Sequence, residues 1–251
     1  MRHAVILVAS SLCATVLQAQ TASLKMRFVY DGAPPAAQQI NVAPRFRPAG
    51  GAIPDERLLV DPVSKGIGNV VVYVYTGRGG SQLDLAPYEG KNRRLLADNI
   101  RFEPHILLAQ AGDTLEVMNR GQNGHNLYLP FFNNPEIEFD LAPGKKNVIP
   151  LTKSEPAAIP VFGNIYPWMK AYLVILEHPF AGISDKDGAI SVDGLPANTK
   201  LVFKVYHEAG LINQVKIKDV PMAWNRSRFE LDLSPGDNDL GDVLVPGNAL
   251  N

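Results

Sequence analysis

Two short stretches hold the side chains best suited to chemistry. The first is Asn119-Arg120-Gly121-Gln122-Asn123-Gly124-His125-Asn126, with one imidazole following a glycine. The second is Phe162-Gly163-Asn164-Ile165-Tyr166-Pro167-Trp168-Met169, which ends on a thioether. Imidazole and thioether are donors that suit the softer first-row transition metals. A blue-copper centre takes two imidazoles and a thiolate in a trigonal arrangement, with a weak, long thioether bond on its axis. In a chain with such a centre, one histidine comes first, and a single later turn carries the cysteine, the second histidine and the methionine.

On these residues the chain resembles a family of secreted, cupredoxin-like bacterial proteins, common in planctomycete-type genomes and often labelled methylamine-utilisation-like or plastocyanin-like. Gly124-His125-Asn126 is similar to that family's first metal loop. The run from Gly163 to Met169 is similar to its Cys-Asn-Ile-His-Pro-Trp-Met turn. Tyr73-Val74-Tyr75-Thr76-Gly77-Arg78-Gly79-Gly80, Phe102-Glu103-Pro104-His105 and Phe131-Phe132-Asn133-Asn134-Pro135 extend the likeness. The resemblance implies that His125 keeps the first imidazole and Met169 the axial thioether, while Gly163 stands at the cysteine position and Tyr166 at the second histidine position. Glycine offers no donor atom, and a phenol with a pKa of about 10 is a poor substitute for imidazole at neutral pH. Two of four donors are therefore expected to remain.

The family also suggests a lost disulfide, since relatives often carry cysteines where this chain has Arg47-Pro48-Ala49 and Ile100. Cys13 is the only cysteine. It lies in an apolar run from Ala4 to Leu17, preceded by Arg2 and His3 and followed by Gln18-Ala19-Gln20. That pattern reads as a secretory signal over residues 1–19, too short for the ~20 apolar residues of a membrane span. The expected location is periplasmic or secreted. A chain cleaved there would have no thiol for a disulfide or a metal.

The elements that must position these loops are strands. Leu24 to Tyr30 alternates apolar and polar residues and stops at Asp31-Gly32. Asn69 to Tyr75 is β-branched and aromatic. Arg101 to Leu108 and Thr114 to Asn119 flank the turn Gln110-Ala111-Gly112-Asp113, and Ala171 to Leu176 closes the second loop. Ala33 to Pro54 reads as an irregular connection, and Leu58 to Val60 as a short strand. No stretch combines a helical period with capping residues. Past Glu177 the pattern changes to Asp185-Lys186-Asp187-Gly188, Gly194-Leu195-Pro196-Ala197-Asn198 and Val205-Tyr206-His207-Glu208. This resembles carboxypeptidase-regulatory-like, transthyretin-like modules and implies a β-sandwich appendage. The expected organisation is all-β: signal peptide 1–19, a cupredoxin-like Greek-key sandwich over 20–177, and a smaller transthyretin-like sandwich over 178–251.

The chain has 251 residues, 46% of them apolar and 20% charged, with a formal net charge of -1. That balance argues against nucleic acid or an anionic membrane surface as partner. No Gly-x-Ser-x-Gly elbow, cysteine nucleophile, His-Glu-x-x-His or phosphate-cradling glycine loop is present, so no enzyme is expected. His125 is either a copper ligand or a relic hydrogen-bonded in its loop. Met169 is either a weak Cu(I) donor or core filling. Tyr166 fills the vacated imidazole slot. His105 either loads copper at the surface or supports its strand, while His178 and His207 read as structural. Trp168 and Trp224 offer either a contact surface for a protein or glycan partner or internal packing. Asp185, Asp187 and Asp193 lack the spacing of a calcium loop and read as a turn, as do Asp237, Asp239 and Asp242. The expected function is a non-enzymatic binding or structural module with a degenerate copper site and no cofactor. The alternative is copper binding or electron transfer through the residual His125 and Met169.

Overall fold

The computed structural model describes residues 20–40, 42, 52–98 and 101–250. The signal segment, Cys13, Arg47-Pro48-Ala49 and Ile100 lie outside these residues. In chain order the strands are β1 (Thr21–Asp31), β2 (Gln39–Ile40), β3 (Ile53–Pro54), β4 (Val71–Val74), β5 (Asn92–Asp98), β6 (Arg101–Glu103) and β7 (Ile106–Gln110). Then come β8 (Thr114–Asn119), β9 (His125–Leu129), β10 (Ile137–Leu141), β11 (Lys146–Pro150), β12 (Ile159–Gly163) and β13 (Lys170–Leu176). The remainder are β14 (Ala181–Ile183), β15 (Ala189–Pro196), β16 (Thr199–Tyr206), β17 (Gln214–Ile217), β18 (Val220–Ala223), β19 (Arg228–Leu233) and β20 (Gly236–Pro246). One turn of 3-10 helix, Gly247–Ala249, is the only helix among the described residues.

Residues 92–176 form a Greek-key sandwich. One sheet runs β11-β8-β5-β6 and the other β10-β9-β12-β13-β7. The expected strand over Arg101 to Leu108 is divided between the two sheets. Pro104 has no N–H to continue a ladder, so β6 pairs with β5 on one sheet and β7 with β13 on the other. The strand that changes sheets, together with the closing β12–β13 pair, gives the cupredoxin-like order. Leu95, Leu115, Leu127, Leu129, Ile159, Val161, Leu173 and Ile175 meet between the sheets.

The second sandwich corrects the expected division at residue 177. Its sheets run β15-β1-β20-β17-β18 and β14-β4-β16-β19. β1 lies between β15, antiparallel, and β20, parallel. β4 lies between β14 and β16. Two strands from the amino-terminal half thus occupy central places in the carboxy-terminal sandwich, because only there do both of their edges find hydrogen-bonding partners. Leu24, Met26 and Phe28 of β1 join Val72 and Val74 of β4, Phe203, Val205 and Trp224 in one core. Leu58 to Val60 makes an isolated bridge, Val60 to Ile67, rather than a strand. The connection from Ala33 to Pro54 contains the small β2–β3 pair.

Strand periodicity explains how the sandwiches join. In β4, Val72 and Val74 face their own core, whereas Val71 and Tyr73 face β7 and β13 of the other sandwich. In β13, Ala171, Leu173 and Ile175 face inward, and Tyr172, Val174 and Leu176 face the seam. A strand buried on both faces reads as an unbroken apolar run, as Val71-Val72-Tyr73-Val74 does.

Candidate functional site: two metal-type loops beside an inter-sandwich cavity

The two metal-type loops meet at one end of the Greek-key sandwich. His125 is the first residue of β9, Gly163 the last of β12, and Met169 immediately precedes β13. Asn119 shapes the first loop: its Nδ2 donates to the carbonyls of Asn123 (2.7 Å) and Leu141 (2.9 Å), and its Oδ1 accepts from Gly121 N at 2.9 Å. The loops are tied by Asn164 N donating to Asn126 O at 2.9 Å and Asn164 Nδ2 donating to Asn126 Oδ1 at 2.6 Å. Met169 N donates to Tyr166 O (2.8 Å), and Gly163 N donates to Met169 O (3.1 Å), which closes the second loop into a tight turn.

All four aligned positions come together. The rings of His125 and Tyr166 lie edge to face, with centroids 5.3 Å apart, and Trp168 packs against Tyr166 at 5.5 Å. His125, Gly163, Tyr166 and Met169 are all buried. Burial pushes the His125 imidazole below its usual pKa. Its Nδ1 is buried without a hydrogen-bond partner.

A type 1 copper centre does not fit the residues present. Gly163 supplies no sulfur, and a Cβ placed there would stand 3.1 Å from both Met169 Cβ and Tyr166 O. The aromatic ring of Tyr166 packs where a second imidazole is expected. Among the described residues, no group of three or more His, Cys, Asp or Glu side chains is arranged to hold a metal ion.

His105 lies elsewhere, at the seam. Its Nε2 is 2.7 Å from Glu208 Oε2, and Tyr172 Oη donates to Glu208 Oε1 at 2.8 Å. Burial opposes ionisation of Glu208, but these two hydrogen bonds hold its carboxyl below the usual range. An ionised carboxylate only accepts, so Nε2 donates to it. Its Nδ1 faces Glu56 Oε2 at 3.7 Å, beyond hydrogen-bond length. Burial pushes the Glu56 carboxyl up, against the lowering effects of His105 and Arg101. These groups line a cavity of about 300 Å³ whose wall includes Trp168 and Met169. Neither Glu56 nor Tyr172 stands out in sequence. Glu208 does end the Val205-Tyr206-His207-Glu208 segment, although the resemblance drew attention to that segment only as a strand.

The remaining candidates are structural. His178 Nε2 donates to Val74 O at 2.9 Å, and burial lowers its pKa. His207 is buried, and its Nδ1 accepts from Ala209 N at 3.1 Å. Trp224 is no contact surface: it is 2% exposed and stacks on Phe229 at 4.5 Å. Asp185 Oδ1 accepts from Asp187 N and Ala189 N, an internal turn. Asp237 and Asp242 pair with Lys25 and Arg27, and Asp239 caps Gly241 N.

No protein-family model matches the chain, and no curated protein matches it. Among solved structures, a purple cupredoxin from Nitrosopumilus maritimus is similar at 14% identity and TM-score 0.28, over 33% of this chain and 97% of that one. A Cu(I) form of an amicyanin variant is similar at 14% identity and TM-score 0.31, over 34% and 81%. A Cu-containing nitrite reductase from Thermus scotoductus is similar at 19% identity and TM-score 0.30, over 41% and 25%. The cupredoxin-like assignment stands on strand order and loop placement. Among the described residues, no helix is long and apolar enough to cross a membrane.

Proposed function

We propose that this chain is an exported, non-enzymatic binding or structural protein whose cupredoxin-like sandwich no longer carries a type 1 copper centre. The observation behind this reading is the depleted loop itself, in which a glycine and a packed tyrosine occupy two of the four ligand positions. Thiolate gives a blue site its electronic character and much of its affinity, and no neighbouring residue replaces it. The half-buried Trp168 beside Tyr166 supports a protein or glycan partner at that end of the sandwich as part of this reading.

The buried, unpartnered Nδ1 of His125 supports a second reading, in which His125 and Met169 together take up copper. Titration with Cu(I) and with Cu(II), followed by dialysis and metal analysis, separates the two. The first reading expects well under one equivalent retained and no intense visible band. One equivalent of Cu(I), lost in His125→Ala, would establish the second. The Gly163→Cys, Tyr166→His double variant tests the loop placement, because it should bind copper and turn blue. The 3.1 Å contacts at Gly163 mean that Met169 and the Tyr166 carbonyl must give by a few tenths of an ångström to admit the new side chain.

A further inference from the structure

Between Asn119 and His125 the first loop passes through Asn123-Gly124, the one place in the chain where a glycine follows an asparagine. An asparagine carboxamide lies within reach of the next residue's backbone nitrogen, which can close a five-membered ring on it. A side chain on that next residue crowds the attack, and glycine has none.

The fold leaves this step open. Asn123 and Gly124 are both exposed. Asn126, Asn133, Asn134 and Asn164 commit their Nδ2 groups to hydrogen bonds. Among the described residues, neither the Asn123 carboxamide nor the Gly124 N–H makes one. A Cβ placed on Gly124 would meet nothing within 4 Å, so no neighbouring atom crowds the nitrogen on that side. The group that is held is the Asn123 carbonyl, which accepts from Asn119 Nδ2 at 2.7 Å. That bond polarises the 123–124 amide and makes its nitrogen the readier to give up its proton during attack. β9 begins only at His125, so a change at Asn123 breaks no ladder.

We propose that Asn123 is a site of spontaneous modification in the folded protein, its carboxamide passing through a succinimide to aspartate and isoaspartate. Gly124 N forms a bond to Asn123 Cγ, the Cγ–Nδ2 bond breaks, and the amide nitrogen leaves as ammonia with the proton that Gly124 N gave up. Water then opens the ring. Addition at Cγ restores the original backbone and leaves aspartate. Addition at the backbone carbonyl carbon leaves isoaspartate, whose chain runs on through Cγ, and turns the carbonyl that Asn119 holds into a free carboxylate. No electrons are exchanged, and water is the only co-reactant. The inference goes beyond the reading given above and holds whether or not His125 takes copper.

Peptide mapping of the full chain, incubated folded and in urea in mildly alkaline metal-free buffer, tests the proposal. In the folded chain the tryptic peptide Gly121–Lys145 should gain the mass difference between an amide and a carboxyl at Asn123. It should do so in two chromatographic forms, before any other asparagine is converted. The folded-chain rate should lie within about tenfold of the rate in urea, because an open segment is not protected by the global stability. Gly124→Ala, at a position with free space and no positive φ, should fold and slow the conversion by about tenfold or more. An Asn123 amide that persists in the folded chain while it is lost in urea overturns the proposal. So does a wild-type rate in Gly124→Ala, or a single aspartate form, which would mean direct hydrolysis without a ring. If Gly124→Ala does not fold, the comparison of folded and urea-treated wild type decides alone.

Discussion

His125, His178 and His207 are all held in the neutral form because burial removes the water that a charged imidazole needs. For His207 the effect is large, with its pKa pushed down to about 4 from an ordinary value near 6.5. The unfolded chain then binds a proton below pH 6.5 that the folded chain refuses until about pH 4. Stability from this group is complete above the unfolded value and is lost as pH falls through that window, by on the order of 3 kcal/mol for His207 alone. Glu56, whose carboxyl is pushed up, works in the opposite sense, and Glu208, held down, contributes only at still lower pH. Urea unfolding midpoints should therefore drop steadily from pH 7 to pH 4.5. His207→Gln, uncharged throughout, should flatten that slope, and an unaltered slope would show that His207 does not fold as a neutral buried ring.

At the scale of elements, β1 owes its place to a close crossing of three backbone segments. Phe28 N donates to Gly188 O at 2.9 Å, and Ile67 N donates to Phe28 O at 3.0 Å. A Cβ on Gly66 would stand 2.0 Å from the carbonyl carbon of Asp187, and one on Gly188 would stand 2.1 Å from Phe28 O. Because these obstacles are backbone, side-chain rotation cannot relieve them. Gly66→Ala should cost about 3 kcal/mol or more, at or above the upper end of ordinary overpacking, and read as a lowered thermal midpoint. A variant as stable as wild type would mean that the segments are not this close. The hairpin before the first loop is secured differently. Burial works against the Asp113 carboxylate, but Tyr88, the Gln110 and Lys91 amides and Arg93 donate to it and hold its pKa low. The turn itself was visible as Gln110-Ala111-Gly112-Asp113; apart from the Gln110 amide, the partners that make Asp113 its anchor come from β5 and the residues before it, which no local pattern reveals.

For the whole molecule, the interleaving of the two sandwiches decides what can fold alone. A fragment spanning residues 178–251 lacks β1 and β4, leaving β15, β20, β14 and β16 with open edges and a core without Phe28, Val72 and Val74. Each such side chain contributes about 1.5–3 kcal/mol on full burial, a large share of a marginal stability. The fragment should give a disordered circular dichroism spectrum and rapid proteolysis, and adding a segment that spans residues 20–76 should restore structure. A folded, protease-resistant 178–251 fragment would contradict the interleaved topology. The seam reinforces the arrangement, since Val71, Tyr73, Ile106, Val174 and Leu176 form a cluster that neither sandwich completes by itself.

The sequence by itself determined the all-β class, several of the strands around the two loops and which donor atoms those loops carry, because a side-chain period of two and the identity of a residue are local facts. Gly163 and Tyr166 lack thiolate and imidazole in any fold. Tertiary structure alone decided that β1 and β4 belong with strands from beyond residue 177, that Trp224 is core, and that Glu56, His105 and Glu208 surround one cavity. Strand pairing is set by which edges and faces are left to cover, and the pairing β1–β20 joins residues more than two hundred positions apart. No periodicity in either segment records its partner, so only the folded chain shows it.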